Sequence, residues 1–263
     1  PLISKVTMGG GRSLGRHRPG VKEGLVYSHR GEGMRTTPWF FALVGVVAWS
    51  VIAGGPASAG SIKGTVQFAG AVEPRKLAVT IDQFVCGKDK DAEDLVLSPR
   101  KGIRSAVVWL ESPPPGAKGT NPAPPVQIDQ KQCVFTPRVI VVPAGGTVEF
   151  LNSDRLLHNI HSVSKENPPV NRTQPRGRTI PVAFAKREII RIKCDLHPWM
   201  NAWVVVADHP FYAVTDGQGE FVLDNLPPGQ YTLRIWHESL GTLRKDVIVS
   251  NGVTAVTLEM SRK

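Results

Sequence analysis

The chain has 263 residues, room for one large or two small domains, and carries a formal net charge of +10 at pH 7. Half of that excess sits in residues 1–59, where seven Lys/Arg face two acids. The remainder is mildly basic, with no basic helical face and no aromatic–basic interleaving; this speaks against nucleic acid and leaves an acidic protein as the partner that charge favours.

Residues 1–33 are rich in Gly and Arg without apolar periodicity, and are read as lying upstream of a true start at Met34. Pro38 to Ala53 is apolar, and Ala57-Ser58-Ala59 has the small-x-small form of a cleavage site. Residues 34–59 therefore read as a secretory signal peptide cut after Ala59. The competing reading is an uncleaved anchor, for which about 18 apolar residues would be expected. On the first reading the mature chain begins at Gly60 and is periplasmic or otherwise secreted.

Almost nothing after Gly60 reads as helix. Ser61 to Phe68 alternates, with Ile62, Gly64, Val66 and Phe68 on one face, the mark of a half-buried strand. Ala106 to Leu110 is a short apolar strand. Ser112 to Pro125 is Pro/Gly-rich and reads as an exposed loop. Val134 to Val142 and Thr147 to Leu151 read as strands joined by a turn at Pro143-Ala144-Gly145-Gly146. Lys165 to Arg178 is polar and reads as a loop. Glu188 to Cys194 alternates again, and Trp203 to Ala207 is a closing apolar strand. Lys165, Arg172, Arg176, Arg178, Lys186, Arg187, Arg191 and Lys193 make the intervening segment basic: a solvated face or, if the charges cluster, a surface that would steer an acidic redox partner.

Cys194-Asp195-Leu196-His197-Pro198-Trp199-Met200 concentrates a thiolate, an imidazole and a thioether in seven residues. A copper that shuttles between Cu(I) and Cu(II) takes two His and a Cys with a weak axial Met. The second His is expected at one of His158 and His161 and not both, because the two point to opposite faces of an extended segment. Pro198 lacks an N–H and ends the strand, so the loop folds over the metal with His197 at its tip. Trp199 is a candidate for an apolar docking patch around that tip. His209 and His237 have no Cys or His at metal spacing, so a second copper is not expected. Export places Cys86, Cys133 and Cys194 where thiols oxidise, and two are expected to pair. If Cys194 holds metal, Cys86 and Cys133 are the pair left; a buried thiol at either is the alternative.

Cys194-x-x-His197-x-x-Met200 resembles the ligand loop of the cupredoxins, the small blue copper proteins, and its short spacing is closest to the amicyanin type. Gly145 to Phe150, then Asn152, Asp154 and His158-Asn159, is similar to the cupredoxin segment that brings in the first His. The match covers roughly residues 134 to 207. It implies one type 1 copper held by His158, Cys194, His197 and Met200, with Asn159 fixing the site through hydrogen bonds. It implies that His197 is partly exposed and forms the electron exit. It also implies a periplasmic redox partner of the cytochrome c or quinoprotein dehydrogenase class.

After Asp208 the pattern changes. Thr215-Asp216-x-x-Gly219-x-Phe221 and Leu226-Pro227-Pro228-Gly229-x-Tyr231 resemble the carboxypeptidase regulatory-like module, a small transthyretin-like β-sandwich. The expected organisation is all-β: a cupredoxin-like Greek-key sandwich over 60–208, with an N-terminal extension, then the regulatory-like module over 209–263. Residues 61–68 are a candidate strand for that second unit. The expected function is one-electron transport by an exported protein that is not an enzyme. The alternative is a cell-envelope interaction or copper-handling protein with a largely structural cupredoxin domain, an envelope protein being the candidate partner of the second module.

Overall fold

The computed structural model describes residues 59–117 and 124–262. The stretch 1–33 and the expected signal peptide as far as residue 58 lie outside the described residues, as do 118–123 of the Pro/Gly-rich loop. The described chain is all-β apart from one helical turn, Gln83–Cys86. Among these residues no helix is long and apolar enough to cross a membrane.

Two sandwiches account for the strands. In the first, a five-stranded sheet runs in the order Asn171–Gln174, His158–Val163, Glu188–Lys193, Asn201–Ala207, Val139–Pro143. A four-stranded sheet packs on it in the order Ile180–Phe184, Gly146–Asn152, Val126–Lys131, Val134–Thr136. Neighbours pair antiparallel except Asn201–Ala207 with Val139–Pro143 and Val126–Lys131 with Gly146–Asn152, which run parallel. The alternation seen in the sequence places Ile128, Phe135, Val148, Phe150, Ile160, Phe184, Ile190, Ile192 and Val204 in one core. Gly145, at φ 86°, makes the expected turn before Gly146–Asn152.

The second sandwich draws on both ends of the chain. Gly60–Phe68 lies between Glu220–Leu226 and Val253–Met260, antiparallel to the first and parallel to the second. The facing sheet runs Tyr212–Val214, Val107–Leu110, Gly229–His237, Gly241–Val249. Residues 209–263 therefore close this core only together with two strands from before residue 111. Gly64 leaves room for its neighbours across the same sheet: a Cβ there would lie 2.6 Å from both the Phe221 ring and the Val256 side chain.

Val107–Leu110 is buried along its whole length, which explains its unbroken apolar run. Val108 and Leu110 face the second core. Val107 and Trp109 face outward, where they meet Val139, Val205 and Trp236 in a third cluster that joins the two sandwiches. Arg138 and Glu238 pair across the same junction, with Arg138 Nη2 donating to Glu238 Oε2 at 2.9 Å. Trp203 stacks edge-on against Trp236 at 5.1 Å.

Two stretches differ from the sequence reading. Val134 to Val142 is two strands in different sheets, Val134–Thr136 and Val139–Pro143. Pro137 between them cannot donate to a ladder, so the chain crosses from one sheet to the other there. The polar stretch 165–178, expected as loop, contains the edge strand Asn171–Gln174. Its polarity is that of a strand whose outer side meets water.

Candidate metal centre

His158 opens a strand, and the loop before it is built from buried polar side chains. Asn152 Nδ2 donates to the carbonyls of Leu156 and Gln174 at 2.9 and 2.8 Å. Gln174 Nε2 donates to the Phe150 carbonyl at 2.7 Å, and Gln130 Nε2 donates to Gln174 Oε1 at 2.6 Å. Asp154 accepts the N–H of Gln132 at 2.6 Å and of Cys133 at 2.8 Å, which holds that turn in its left-handed conformation. Its Oδ2 also meets His158 Nε2 at 2.8 Å.

Cys194 ends the neighbouring strand, and the turn to Met200 is closed by main-chain bonds. Met200 N–H donates to the His197 carbonyl at 2.9 Å, and Cys194 N–H to the Met200 carbonyl at 3.3 Å. Pairing of Lys193 with His161 sets Cys194 beside His158. Asn159 ties the two ligand segments together: its Oδ1 accepts the Asp195 N–H at 3.2 Å and its Nδ2 donates to Asn171 Oδ1 at 2.7 Å. His161 points away from the cluster and meets the Asp195 carboxylate at 2.8 Å on the surface.

His158, Cys194 and His197 bring one donor atom each within 4.8 Å of one another, and all three are buried. His158 Nδ1 and His197 Nδ1 are 3.0 Å apart, and Cys194 Sγ lies 3.6 Å from His197 Nδ1. The opposite nitrogens face carboxylates: His158 Nε2 meets Asp154, and His197 Nε2 meets Asp82 Oδ2 at 3.0 Å. A carboxylate only accepts, so each Nε2 carries a proton and each Nδ1 is the nitrogen left to face a metal. Two bare lone pairs at that distance would repel, so a proton or a metal ion lies between the two Nδ1 atoms. A histidine that gives its far N–H to a carboxylate while its near nitrogen faces a thiolate is the arrangement metal sites use. The donor set fits copper. Met200 is buried in the same core.

Without a metal, the same groups favour a proton on His158. Burial opposes a charge on His158, but Asp154 and Cys194 outweigh it and raise its pKa to about 9. Burial pushes the Cys194 thiol up, yet His158 and nearby main-chain N–H groups bring it below the usual thiol value. His197 is lowered, first by burial and then by the charge of His158, against the pull of Asp82. The second cluster of metal-binding residue types, Cys133 with Asp154 and His158, has no free thiolate, because Cys133 is bonded to Cys86.

Two expectations are corrected here. His197 is fully buried rather than partly exposed, because the segment around Asp82 lies over it. Trp199 is 9% exposed and is no surface patch; its Nε1 donates to the Cys133 carbonyl at 3.0 Å, and its ring lies 5.2 Å from that of His197. The sequence reading includes Asp154 in the cupredoxin-like segment without giving it a role. It misses Asp82, which is 115 residues from the histidine it touches and belongs to no local motif.

No family model matches the chain, and no curated protein matches it. Among solved structures it is similar to a copper-containing nitrite reductase from Thermus scotoductus SA-01 (26% identity, TM-score 0.31), over 36% of this chain and 25% of that one. It is similar to a purple cupredoxin from Nitrosopumilus maritimus (23% identity, TM-score 0.28), over 31% and 99% of the two chains. A mutant of amicyanin in its reduced Cu(I) form matches at 20% identity and TM-score 0.30, over 38% and 98%. The chain thus spans about a quarter of the reductase. The sequence reading held that the protein is not an enzyme; the match to a reductase corrects that exclusion. The fold is an all-β, cupredoxin-like sandwich with a second β-sandwich beside it.

Proposed function

We propose that this chain is an exported type 1 copper protein that passes single electrons, with one copper held by His158, Cys194, His197 and Met200. The observation that carries the reading is the convergence of two inward-facing Nδ1 atoms and one thiolate, each His backed by a carboxylate. Copper bound there would supply one-electron exchange between Cu(I) and Cu(II). The chain's own residues do the rest. Asp154 and Asp82 hold the imidazoles in the tautomer that binds metal. Asn159 fixes the spacing of the two ligand segments. The core from Phe150 to Met200 excludes water.

The disulfide Cys86–Cys133 supports an oxidising compartment, periplasmic or extracellular. The redox partner in this reading is a periplasmic protein of the cytochrome c or quinoprotein dehydrogenase class. A copper-handling protein of the cell envelope is the second reading, and the burial of His197 favours it, since a closed ligand suits holding the metal more than exchanging electrons at that edge. In either reading the second sandwich is of the regulatory-like type and serves as an interaction unit for an envelope protein.

The test is a visible spectrum of the protein with one equivalent of Cu(II), repeated with Cys194→Ser. An intense thiolate-to-copper band lost in the variant is the expected result. A folded, reduced protein without that band would sink the copper reading.

A further inference from the structure

We infer that residues 76–91 form a strap that keeps the metal-site histidine closed, with Asp82 as its positioning residue and Cys86–Cys133 as its fastening. The inference rests on the copper reading above. Lys76–Ala78 and Asp89–Asp91 pair antiparallel, so the segment is a hairpin. Val79 N–H donates to the Lys88 carbonyl at 3.0 Å, which closes the base of its tip. Within the tip, Gln83 Nε2 donates to the Val79 carbonyl at 2.6 Å and Cys86 N–H to the Asp82 carbonyl at 2.9 Å.

Two features aim this tip at the metal centre. Asp82 adopts a left-handed backbone (φ 52°, ψ 31°), a conformation uncommon outside glycine and tolerated by Asp. Its carboxylate reaches His197 Nε2 at 3.0 Å. Four residues on, Cys86 bonds to Cys133. Cys133 is itself joined to the site on both sides: its N–H goes to Asp154, which holds His158, and its carbonyl accepts from Trp199. The outer side of the tip buries little, with Phe84 100% exposed and the Asp82 side chain 46% exposed. The tip is therefore held by what lies beneath it: Val79, Cys86 and the contact to His197.

The strap has two effects on the site. The His197 ring, at 0% exposure, cannot swing outward to release metal, and no partner can touch its edge. Its tautomer is set by a residue outside both ligand segments. Metal exchange then requires the tip to lift.

The experiment loads the full chain with Cu(II) and follows decay of the thiolate-to-copper band under excess EDTA. Wild type is compared with Asp82→Asn, Asp82→Ala and the double variant Cys86→Ser/Cys133→Ser. Asp82→Ala is expected to lose copper about 10-fold faster or more, the usual scale for removing a partner behind a ligand. Asp82→Asn should fall between, because its amide oxygen still accepts from Nε2–H. The double variant should also exchange faster. If it fails to fold, the half-exposed Asp82 still decides the matter. A second readout is NMR of the Zn(II)-loaded protein, where a slowly exchanging His197 Nε2–H signal should be present in wild type and lost in Asp82→Ala. Equal EDTA rates in wild type and Asp82→Ala, with the band present in both, would overturn the strap while leaving the copper reading in place. Absence of the band in wild type would overturn the copper reading and the strap's role with it.

Discussion

Histidines are buried in both halves of this molecule, and their surroundings differ in kind. His209 and His237, beside the second sandwich, are almost wholly buried and held below the ordinary histidine pKa, first by burial. They serve the main chain. His209 Nε2 donates to the Leu110 carbonyl at 3.0 Å, and its Nδ1 accepts the Phe211 N–H at 3.2 Å. His237 Nδ1 accepts the Ser239 N–H at 3.3 Å. His158 and His197, equally buried, each turn one nitrogen to a carboxylate and the other toward a thiolate and each other. Burial alone does not mark a metal site; the pair of groups facing the two ring nitrogens does.

Removing one histidine from each half should have the largest effect. His158→Gln should abolish Cu(II) binding, and with it any rise in melting temperature on loading. His237→Gln should leave binding intact. At a copper concentration 1,000 times the Kd, the lost stabilisation would be about 4 kcal/mol. Isothermal titration and thermal melts of both variants check it, and equal losses of binding would erase the distinction drawn here.

Core truncation comes next. Phe150 and Leu233 are both 0% exposed, one in each core. Phe150→Ala should cost about 3–5 kcal/mol and Leu233→Ala about 2–5 kcal/mol. Only Phe150→Ala should also weaken copper binding, because the Phe150 side chain packs in the core that holds Cys194 and Met200. Denaturant melts with and without copper separate the two effects. A comparable loss of affinity in Leu233→Ala would mean that the sandwiches act as one unit on the site.

The smallest effect concerns acid. Burial works against the charge on Glu188, but donors from Asn167, Lys165 and Ser164 outweigh it and hold its pKa at about 2, against 4.5 unperturbed. A depressed carboxylate stabilises the fold above its unfolded pKa, and that contribution disappears as pH falls from about 4.5 to about 2. Glu188→Gln should flatten this part of the acid-unfolding curve, followed by tryptophan fluorescence. An unchanged curve would show that the 164–167 loop gains nothing from the charge.

Much of this architecture was legible in the residues. Alternation at Ser61–Phe68 and Glu188–Cys194 marks strands because successive side chains point to opposite faces. The strands at Val126–Lys131 and Ile180–Phe184 were missed, since both sit in stretches interrupted by Pro and charge. Cys194 and His197 are near each other through local spacing. His158 is brought to them by the pairing of its strand with Glu188–Lys193.

The residues alone carry the β-rich pattern and place a thiolate, two imidazoles and a thioether in an order suited to copper. These are properties of local period and residue chemistry. Residues 61–68 were a candidate for the C-terminal unit on their pattern, whereas the pairing of Val107–Leu110 with Gly229–His237 and the closure of Asp82 over His197 come from the tertiary structure. The period of a strand tells which face is apolar, not which distant strand will hydrogen-bond to its edge. A carboxylate 115 residues away has no local signature of the nitrogen it will meet.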